Sequence, residues 1–164
     1  IKVLKIEGRG RAADYVATVI KTYRDAIDSY YEGTFTKEKI NSWMEALATV
    51  YNRGFWSGYY LGQKLGEWSD NPGSNATQKK VYVGKGMHYF PKSSIAEFKI
   101  EAYDIKKGDK ILITGPSTGA QELILEDFFV NDATSEKATK GDSCTLKVPF
   151  RIRLSDKMYK IVEN

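Results

Sequence analysis

Lys5-Ile6-Glu7-Gly8-Arg9-Gly10-Arg11 is the stretch on which the prediction of the fold depends. The residues before it, Ile1 to Ile6, are β-branched and alternating, which predicts a β-strand. The residues after it have helical periodicity, so the stretch is predicted to be a turn from a strand into a helix. In a barrel of alternating strands and helices, such a turn lies on the active-site face, and its backbone offers N–H groups to an anion. Glu7 and Arg9 are therefore candidate site residues, with a structural ion pair or a helix-dipole contact at a domain junction as the alternative of equal weight.

Two helices are predicted after this turn. The first runs from about Ala12 to Tyr31, and its apolar residues recur at steps of three and four on one face. Gly33 is predicted to end it, and Thr36 to cap a second helix. The two stripes predict a helical hairpin that packs on itself and on a domain outside this chain. The predicted stripes are Val16, Val19, Ile20, Tyr23, Ile27 and Tyr30 in the first helix, and Ile40, Trp43, Met44, Leu47 and Val50 in the second.

A polar, glycine- and proline-marked stretch at residues 69–78 is predicted to be a linker between residues 1–68 and residues 79–164. After it the hydrophobic period changes to two, which indicates strands. Short strands without helices predict a small closed antiparallel β-barrel, so the fold class is α+β. The six predicted strands are Lys80–Phe90, Ile95–Tyr103, Lys110–Thr114, Glu122–Val130, Thr145–Phe150 and Lys157–Val162.

Three turns in the strand-rich half share a pattern: Gly108-Asp109, Gly141-Asp142 and Ser155-Asp156. In the first two, glycine permits a positive φ angle, and in all three an aspartate side chain can bond to its own backbone. Each pair is therefore predicted to end one strand and to start another.

The run Leu4 to Arg9, together with Tyr15-Val16-Ala17-Thr18-Val19 and Tyr23-Arg24, resembles the end of the main domain in the peptidase U32 family. The segment from Arg53 to Tyr59 is similar to one that follows this core, although Gly10 and Arg11 stand where the family usually has Met and Lys. The later turns resemble those of the second-domain barrel of translation elongation factors, which follows the core in longer members. The resemblance implies that residues 1–68 end an α/β (TIM-like) barrel and add a helical hairpin. Residues 79–164 would form the elongation-factor-like β-barrel.

The resemblance also implies a function. Family members are called collagenase-like peptidases, and others resemble enzymes that hydroxylate RNA bases with cysteine-bound iron–sulfur chemistry. Because Cys144 is the only cysteine, a catalytic centre and any such cluster are expected upstream, in an N-terminal core domain that would be this chain's partner. The chain itself is then expected to hold no cofactor and to position a substrate, with transfer or ribosomal RNA as the expected ligand. The alternatives are a substrate-recognition domain of a peptidase, or a structural or oligomerising domain.

Composition limits these readings only weakly. The chain has 164 residues with 25 basic and 21 acidic side chains, a net charge of +4 that mildly favours polyanions. No apolar run approaches a membrane span and no signal peptide opens the chain, so a cytoplasmic protein is expected. With Cys144 alone, neither an internal disulfide nor a multi-cysteine metal site is expected.

Basic residues become denser after the predicted linker and could bind phosphate, with aromatic rings beside them for bases. The alternative is scattered solubilising charge. His88, the only histidine, has no nucleophile arrangement around it and is expected to be half-buried packing, and Cys144 is expected to be a small buried hydrophobe. The candidate nucleic-acid-binding residues are Lys79, Lys80, Lys106, Lys107, Lys110 and Tyr89.

Overall fold

The computed structural model describes residues 2–62 and 73–164. The chain divides into two compact units, residues 1–79 with Asn164, which we call the helical unit, and residues 80–163, which we call the β unit. The predicted linker at residues 69–78 stays a prediction, because residues 69–72 lie outside the described residues.

The helical unit contains α1 (Ala13–Tyr31), α2 (Lys37–Thr49) and a 3-10 turn (Gly58–Leu61). The predicted signals around the hairpin are confirmed. Gly33 has a φ of 71°, the left-handed conformation that ends helices. Thr36 caps α2, because its Oγ1 accepts a hydrogen bond of 3.3 Å from the backbone N–H of Lys39.

The buried face of α1 differs from the predicted stripe. Val19, Thr22 and Ser29 are buried, whereas the predicted core residues Ile20 and Tyr23 are 51% and 44% exposed. The position of α2 explains the difference. Trp43 Nε1 donates to Asp25 and Lys39 Nζ donates to Ser29, at 2.7 and 2.9 Å, so α2 lies along a different side of α1.

The described part of the predicted first strand, residues 2–6, does not form a strand. Residues 2–8 have no regular secondary structure, and most of them are exposed. A strand needs a neighbour for its backbone groups, and the described residues of the helical unit offer no strand for this segment to pair with. Alternation alone therefore did not suffice to form the strand.

The β unit is built around one antiparallel sheet of eight strands, in the order β5-β4-β10-β1-β2-β9-β6-β7, and a separate ladder of β3 and β8. Strand β1 begins just before the unit boundary. The pairing order is linear, with β5 and β7 as its edge strands, whereas the sequence predicted a closed barrel. The strands are β1 (Gln78–Phe90), β2 (Ile95–Ile100), β3 (Ile105–Lys106), β4 (Lys110–Gly115), β5 (Gly119–Ile124), β6 (Phe128–Val130), β7 (Ala133–Ser135), β8 (Lys137–Ala138), β9 (Ser143–Lys147) and β10 (Lys157–Glu163).

The predicted strand Glu122–Val130 is in fact two strands. Leu125 leaves the ladder because its backbone bonds to another turn: its N–H donates to Asp109 O and its carbonyl accepts from Gly108 N, both at 2.8 Å. β5 therefore ends at Ile124, and β6 starts at Phe128.

All three predicted aspartate turns form, with the same hydrogen bonds. Asp109, Asp142 and Asp156 each accept from the backbone N–H three residues earlier, at 2.7 to 2.8 Å. The residue before each aspartate has a positive φ, of 87° at Gly108, 99° at Gly141 and 67° at Ser155. The turns differ in burial, since Asp109 and Asp156 are buried and Asp142 is only partly so.

A single hydrophobic core holds the β unit together. Its members come from strands throughout the sheet and from the β3–β8 ladder, so the sheet curves around one interior. Cys144 is one of these residues and has no exposed surface, as its predicted role as a small hydrophobe requires. The largest fully buried side chains are Phe98, Phe128, Ile100, Ile105, Ile111, Leu112, Ile113, Leu125, Ile152 and Met158.

Candidate nucleic-acid interface

The Lys5 to Arg11 stretch forms a compact turn before α1. Glu7 Oε1 accepts a 2.7 Å hydrogen bond from the backbone N–H of Arg9, and Arg11 N–H donates to Gly8 O at 3.0 Å. Glu7 and Arg9 are both exposed. The contact between them joins the Glu7 side chain to the Arg9 backbone, and this hydrogen bond shapes the turn. Their candidate catalytic role stays a prediction.

Arg11, the last residue of this turn, reaches Tyr51 beyond α2. Its guanidinium lies 3.6 Å from the centre of the Tyr51 ring, and the Arg53 Nε donates a 2.9 Å hydrogen bond to the Tyr51 hydroxyl. The hydrogen bond from Arg53 lowers the pKa of the Tyr51 phenol, and Arg11 acts in the same direction. Two arginines are thus held on one aromatic ring. The sequence prediction did not include this arrangement, because Arg11 and Arg53 are separated by the whole helical hairpin.

The β unit holds a second group, of one cation and two aromatic rings, on the neighbouring strands β1 and β10. Lys80 Nζ lies 5.3 Å from the centre of the Tyr159 ring, and Tyr82 meets Tyr159 edge-on with ring centres 5.7 Å apart. The Tyr82 hydroxyl donates to Glu101 at 2.6 Å. Burial, and then this carboxylate, raise the pKa of Tyr82 to about 12, so its hydroxyl stays protonated.

Carboxylates neutralise two of the predicted phosphate-binding lysines. Lys107 Nζ lies 2.5 Å from Asp127, and Lys110 Nζ lies 2.7 Å from Glu122. The hydrogen bond with Asp127 raises the pKa of Lys107. Lys106, by contrast, is exposed and its ammonium group forms no ion pair among residues 2–62 and 73–164. Lys79 is also exposed but belongs to the helical unit.

Tyr89 does not lie beside Lys80, one of the lysines with which it was grouped. It is nine residues from Lys80 along β1, a distance of roughly 30 Å in a strand. It is partly buried and packs against the core of the β unit. Tyr82 is instead the ring near Lys80. His88 also differs from prediction, because it is exposed and meets Phe90 edge-on.

A groove on the outer face of the β unit was not predicted. It is about 530 Å³ in volume, and its walls include Phe90 and Phe129, which are 45% and 44% exposed. On β2, Glu97 accepts a 2.7 Å hydrogen bond from the Ser143 hydroxyl of β9. The charged lining residues are both acidic, Glu97 and Asp132.

The described part of the chain has no group of three or more His, Cys, Asp or Glu side chains that could hold a metal ion. It also has no helix with the length and apolarity that crossing a membrane needs.

Residues 1–70 match the family described as Peptidase family U32. A collagenase of Porphyromonas gingivalis is 50% identical over 160 residues, which cover 98% of this chain and 39% of the collagenase. The tRNA hydroxylation protein P1 of Bacillus subtilis is 30% identical over 142 residues, or 85% of this chain and 33% of that protein. This chain thus spans only about two fifths of the collagenase and a third of the tRNA hydroxylation protein.

Among solved structures, the C-terminal domain of a Geobacillus thermoleovorans putative U32 peptidase is similar, with 20% identity and a TM-score of 0.46. The alignment covers 48% of this chain and 90% of that domain.

Proposed function

Since this chain belongs to the peptidase U32 family, we propose that it is the C-terminal, substrate-positioning portion of a longer enzyme and that RNA is the substrate it positions. The observation that carries the proposal is the cluster of Lys80, Tyr82 and Tyr159, in which a cation and two aromatic rings share one surface. Lysine attracts phosphate, and aromatic rings stack on bases without regard to sequence. The name of the Bacillus subtilis relative, which matches most of this chain, supports the same substrate.

In this proposal the β unit corresponds to the elongation-factor-like barrel, and the helical unit completes the α/β core. The catalytic centre, and any iron–sulfur cluster, belong to an N-terminal core domain. The helical unit supports such a partner, because Ile20, Tyr23 and Tyr30 on α1 are 44% to 71% exposed. Contiguous apolar side chains of this kind mark interaction surfaces.

A titration with fluorescent transfer RNA tests the RNA proposal. Lys80→Ala should weaken binding, because it removes the cation of the cluster. Lys106→Ala should weaken it about as much and reduce the salt dependence by about one counterion. Lys107→Ala is the matched control: it changes the adjacent lysine, whose charge Asp127 already balances, and should have the smaller effect.

The RNA affinities of these lysine variants decide whether the β unit contributes to binding. If Lys106→Ala, Lys80→Ala and the unmodified chain bind RNA with equal affinity, these lysines do not bind RNA and serve only as solubilising charge. Binding that does not weaken as salt rises would also contradict the proposal, since lysines recognise phosphate through its charge.

Peptide recognition is the second candidate function, and the Phe90–Phe129 groove favours it. Its acidic and aromatic walls suit a basic, extended peptide better than a polyanion. We expect a short arginine-containing peptide to bind without cleavage, and Glu97→Gln to weaken that binding. Glu126→Gln, an exposed carboxylate outside the groove, is the control. If the peptide binds both variants equally, the groove does not recognise its charge.

A further inference from the structure

We infer that Arg11 and Arg53, joined by Tyr51, form a phosphate-binding site in the helical unit. The inference rests on the proposed function, because the ligand it assigns is a phosphodiester group of RNA. It adds a second point of contact with RNA, in the helical unit, to the lysines of the β unit.

The three side chains form a defined arrangement around the Tyr51 ring. Arg11 covers the face of the Tyr51 ring at 3.6 Å, while Arg53 binds the hydroxyl at its edge at 2.9 Å. Tyr51 therefore holds both guanidinium groups in defined positions. Such preorganisation lowers the entropic cost of binding, which flexible surface cations must otherwise meet when they bind a ligand.

The charge of the two arginines also favours an anionic ligand. Two cations this close repel each other, and a carboxylate would normally lie between or beside them. Among residues 2–62 and 73–164, neither Arg11 nor Arg53 forms an ion pair with a carboxylate. Arg24 of the same unit shows the usual arrangement, since Asp28 neutralises it one helical turn away. The nearby Glu7 carboxylate, for its part, is bonded to the backbone N–H of Arg9.

The two guanidinium groups keep hydrogen-bond donors for a ligand. Arg53 bonds Tyr51 through its Nε, which leaves its terminal N–H donors for a ligand. The Arg11 guanidinium lies over the ring and presents to a ligand the N–H donors that do not face Tyr51. A guanidinium presents these donors in a planar fork that fits two phosphate oxygens at once. A phosphate group therefore matches both the charge and the donor geometry of the pair.

Binding of a labelled oligoribonucleotide to the whole chain, measured at several salt concentrations, tests the site. Arg11→Gln and Arg53→Gln should each weaken binding by several-fold at low salt. Each should also reduce the salt slope by about one, which corresponds to about a three-fold smaller loss of affinity between about 50 and 200 mM salt. Arg24→Gln removes an equal charge from the same unit, but one that Asp28 already balances, and should leave both quantities unchanged.

Two further variants separate positioning from charge. Tyr51→Phe keeps the ring under Arg11 and removes the acceptor of Arg53, so it should weaken binding while the salt slope stays the same. Arg53→Lys keeps the charge but loses the planar fork of N–H donors. Its salt slope should therefore be close to that of the unmodified chain, whereas its affinity should recover less from the level of Arg53→Gln. Circular dichroism of each variant checks that α1 and α2 remain folded.

The outcomes separate this site from the proposed function. If RNA binding weakens in Lys106→Ala but not in Arg11→Gln or Arg53→Gln, the inference is wrong and the proposed function stands. If the unmodified chain binds no RNA, the proposed function fails. Inorganic phosphate then decides the site: an unmoved Arg53 Nε–H resonance in an NMR titration overturns it, and a saturable shift that is absent in Arg11→Gln supports it as an anion site.

Discussion

The same turn-closing hydrogen bond is made at three depths in the β unit, by Asp109, Asp142 and Asp156. Each carboxylate closes its turn by accepting a backbone N–H from three residues earlier. Asp156 is 2% exposed and also accepts from the Thr118 hydroxyl, so it ties the turn before β10 to the turn before β5. Its carboxylate fills the space beside Gly115, where an added Cβ would lie 1.8 Å from one oxygen.

Burial should set the energetic cost of losing these aspartates. Asp156→Ala leaves the Arg153 N–H and the Thr118 hydroxyl without their acceptor in a buried place, so we expect a loss of about 2–3 kcal/mol in the free energy of unfolding. Asp142→Ala breaks the same turn bond where water can replace it, and should cost about 1 kcal/mol. Chemical denaturation measures both. Equal losses would mean that the shared turn, and not burial, dominates.

The buried thiol of Cys144 gives the β unit a pH dependence. Burial raises the pKa of Cys144 to about 12, from an ordinary value of 9.0. Above about pH 9 the unfolded chain loses this proton while the folded chain keeps it, so stability falls as pH rises, by up to about 1.4 kcal/mol per pH unit.

Cys144→Ala isolates this effect, because the other titrating groups are common to both proteins. The difference in unfolding free energy between the unmodified chain and Cys144→Ala should shrink between about pH 8 and about pH 11. Parallel pH curves for the two proteins would show that the folded thiol ionises as readily as the unfolded one.

At the scale of the element, α1 and α2 differ in how they begin. Thr36 caps α2, whereas Ala12 precedes α1 and provides no side-chain cap. Ala12→Ser should therefore stabilise the helical unit by about 1 kcal/mol, and Thr36→Ala should destabilise it by a similar amount. Thermal unfolding followed at the helical circular dichroism band measures both changes. An unchanged midpoint in Ala12→Ser would mean that other groups already satisfy the first amides of α1.

The sequence predicted elements well where their signals are local. Gly33, Thr36 and the three aspartate turns depend on residues a few positions apart, and all formed as predicted. Predictions that depended on distant partners were less accurate. Residues 2–6 alternate like a strand, but no strand among the described residues pairs with them, and the Leu125 break depends on hydrogen bonds to the Gly108–Asp109 turn.

The candidate site follows the same rule. The sequence showed that lysines are dense after residue 79, but it could not show that Asp127 and Glu122 neutralise Lys107 and Lys110. Nor could it bring Arg11 and Arg53 together on Tyr51, since that requires the hairpin to place the residues before α1 beside those after α2.

At the scale of the whole molecule, the two units differ in the depth of their cores. Every member of the main buried cluster belongs to the β unit, whereas among the described residues of the helical unit only Val19, Thr22 and Ser29 are buried. Several apolar side chains of its helices remain exposed, among them Ile20 and Tyr30 of α1 and Ile40 and Met44 of α2. We infer that the β unit is the more stable of the two on its own.

A chain of residues 78–164 should therefore fold alone. We expect it to unfold in one cooperative step, with a midpoint within a few degrees of that of the β unit in the whole chain, because it keeps the entire buried cluster. A chain of residues 2–62 should unfold gradually, since little of its apolar surface is buried. Gradual unfolding of residues 78–164 would mean that the strands need the helical unit to fold.

The last residue of the chain returns to the segment that leads into β1. Asn164 donates from its backbone to Thr77 O at 2.9 Å, and from its side chain to Ala76 O at 2.6 Å. β1 and β10 are hydrogen-bonded neighbours, so the β unit begins and ends at one place. A unit of this kind tolerates circular permutation: its ends can be joined and the chain reopened at the exposed residues 91–93. Because the two ends of the β unit lie together, the unit could be gained or lost as a whole during evolution with little change to the chain on either side of it.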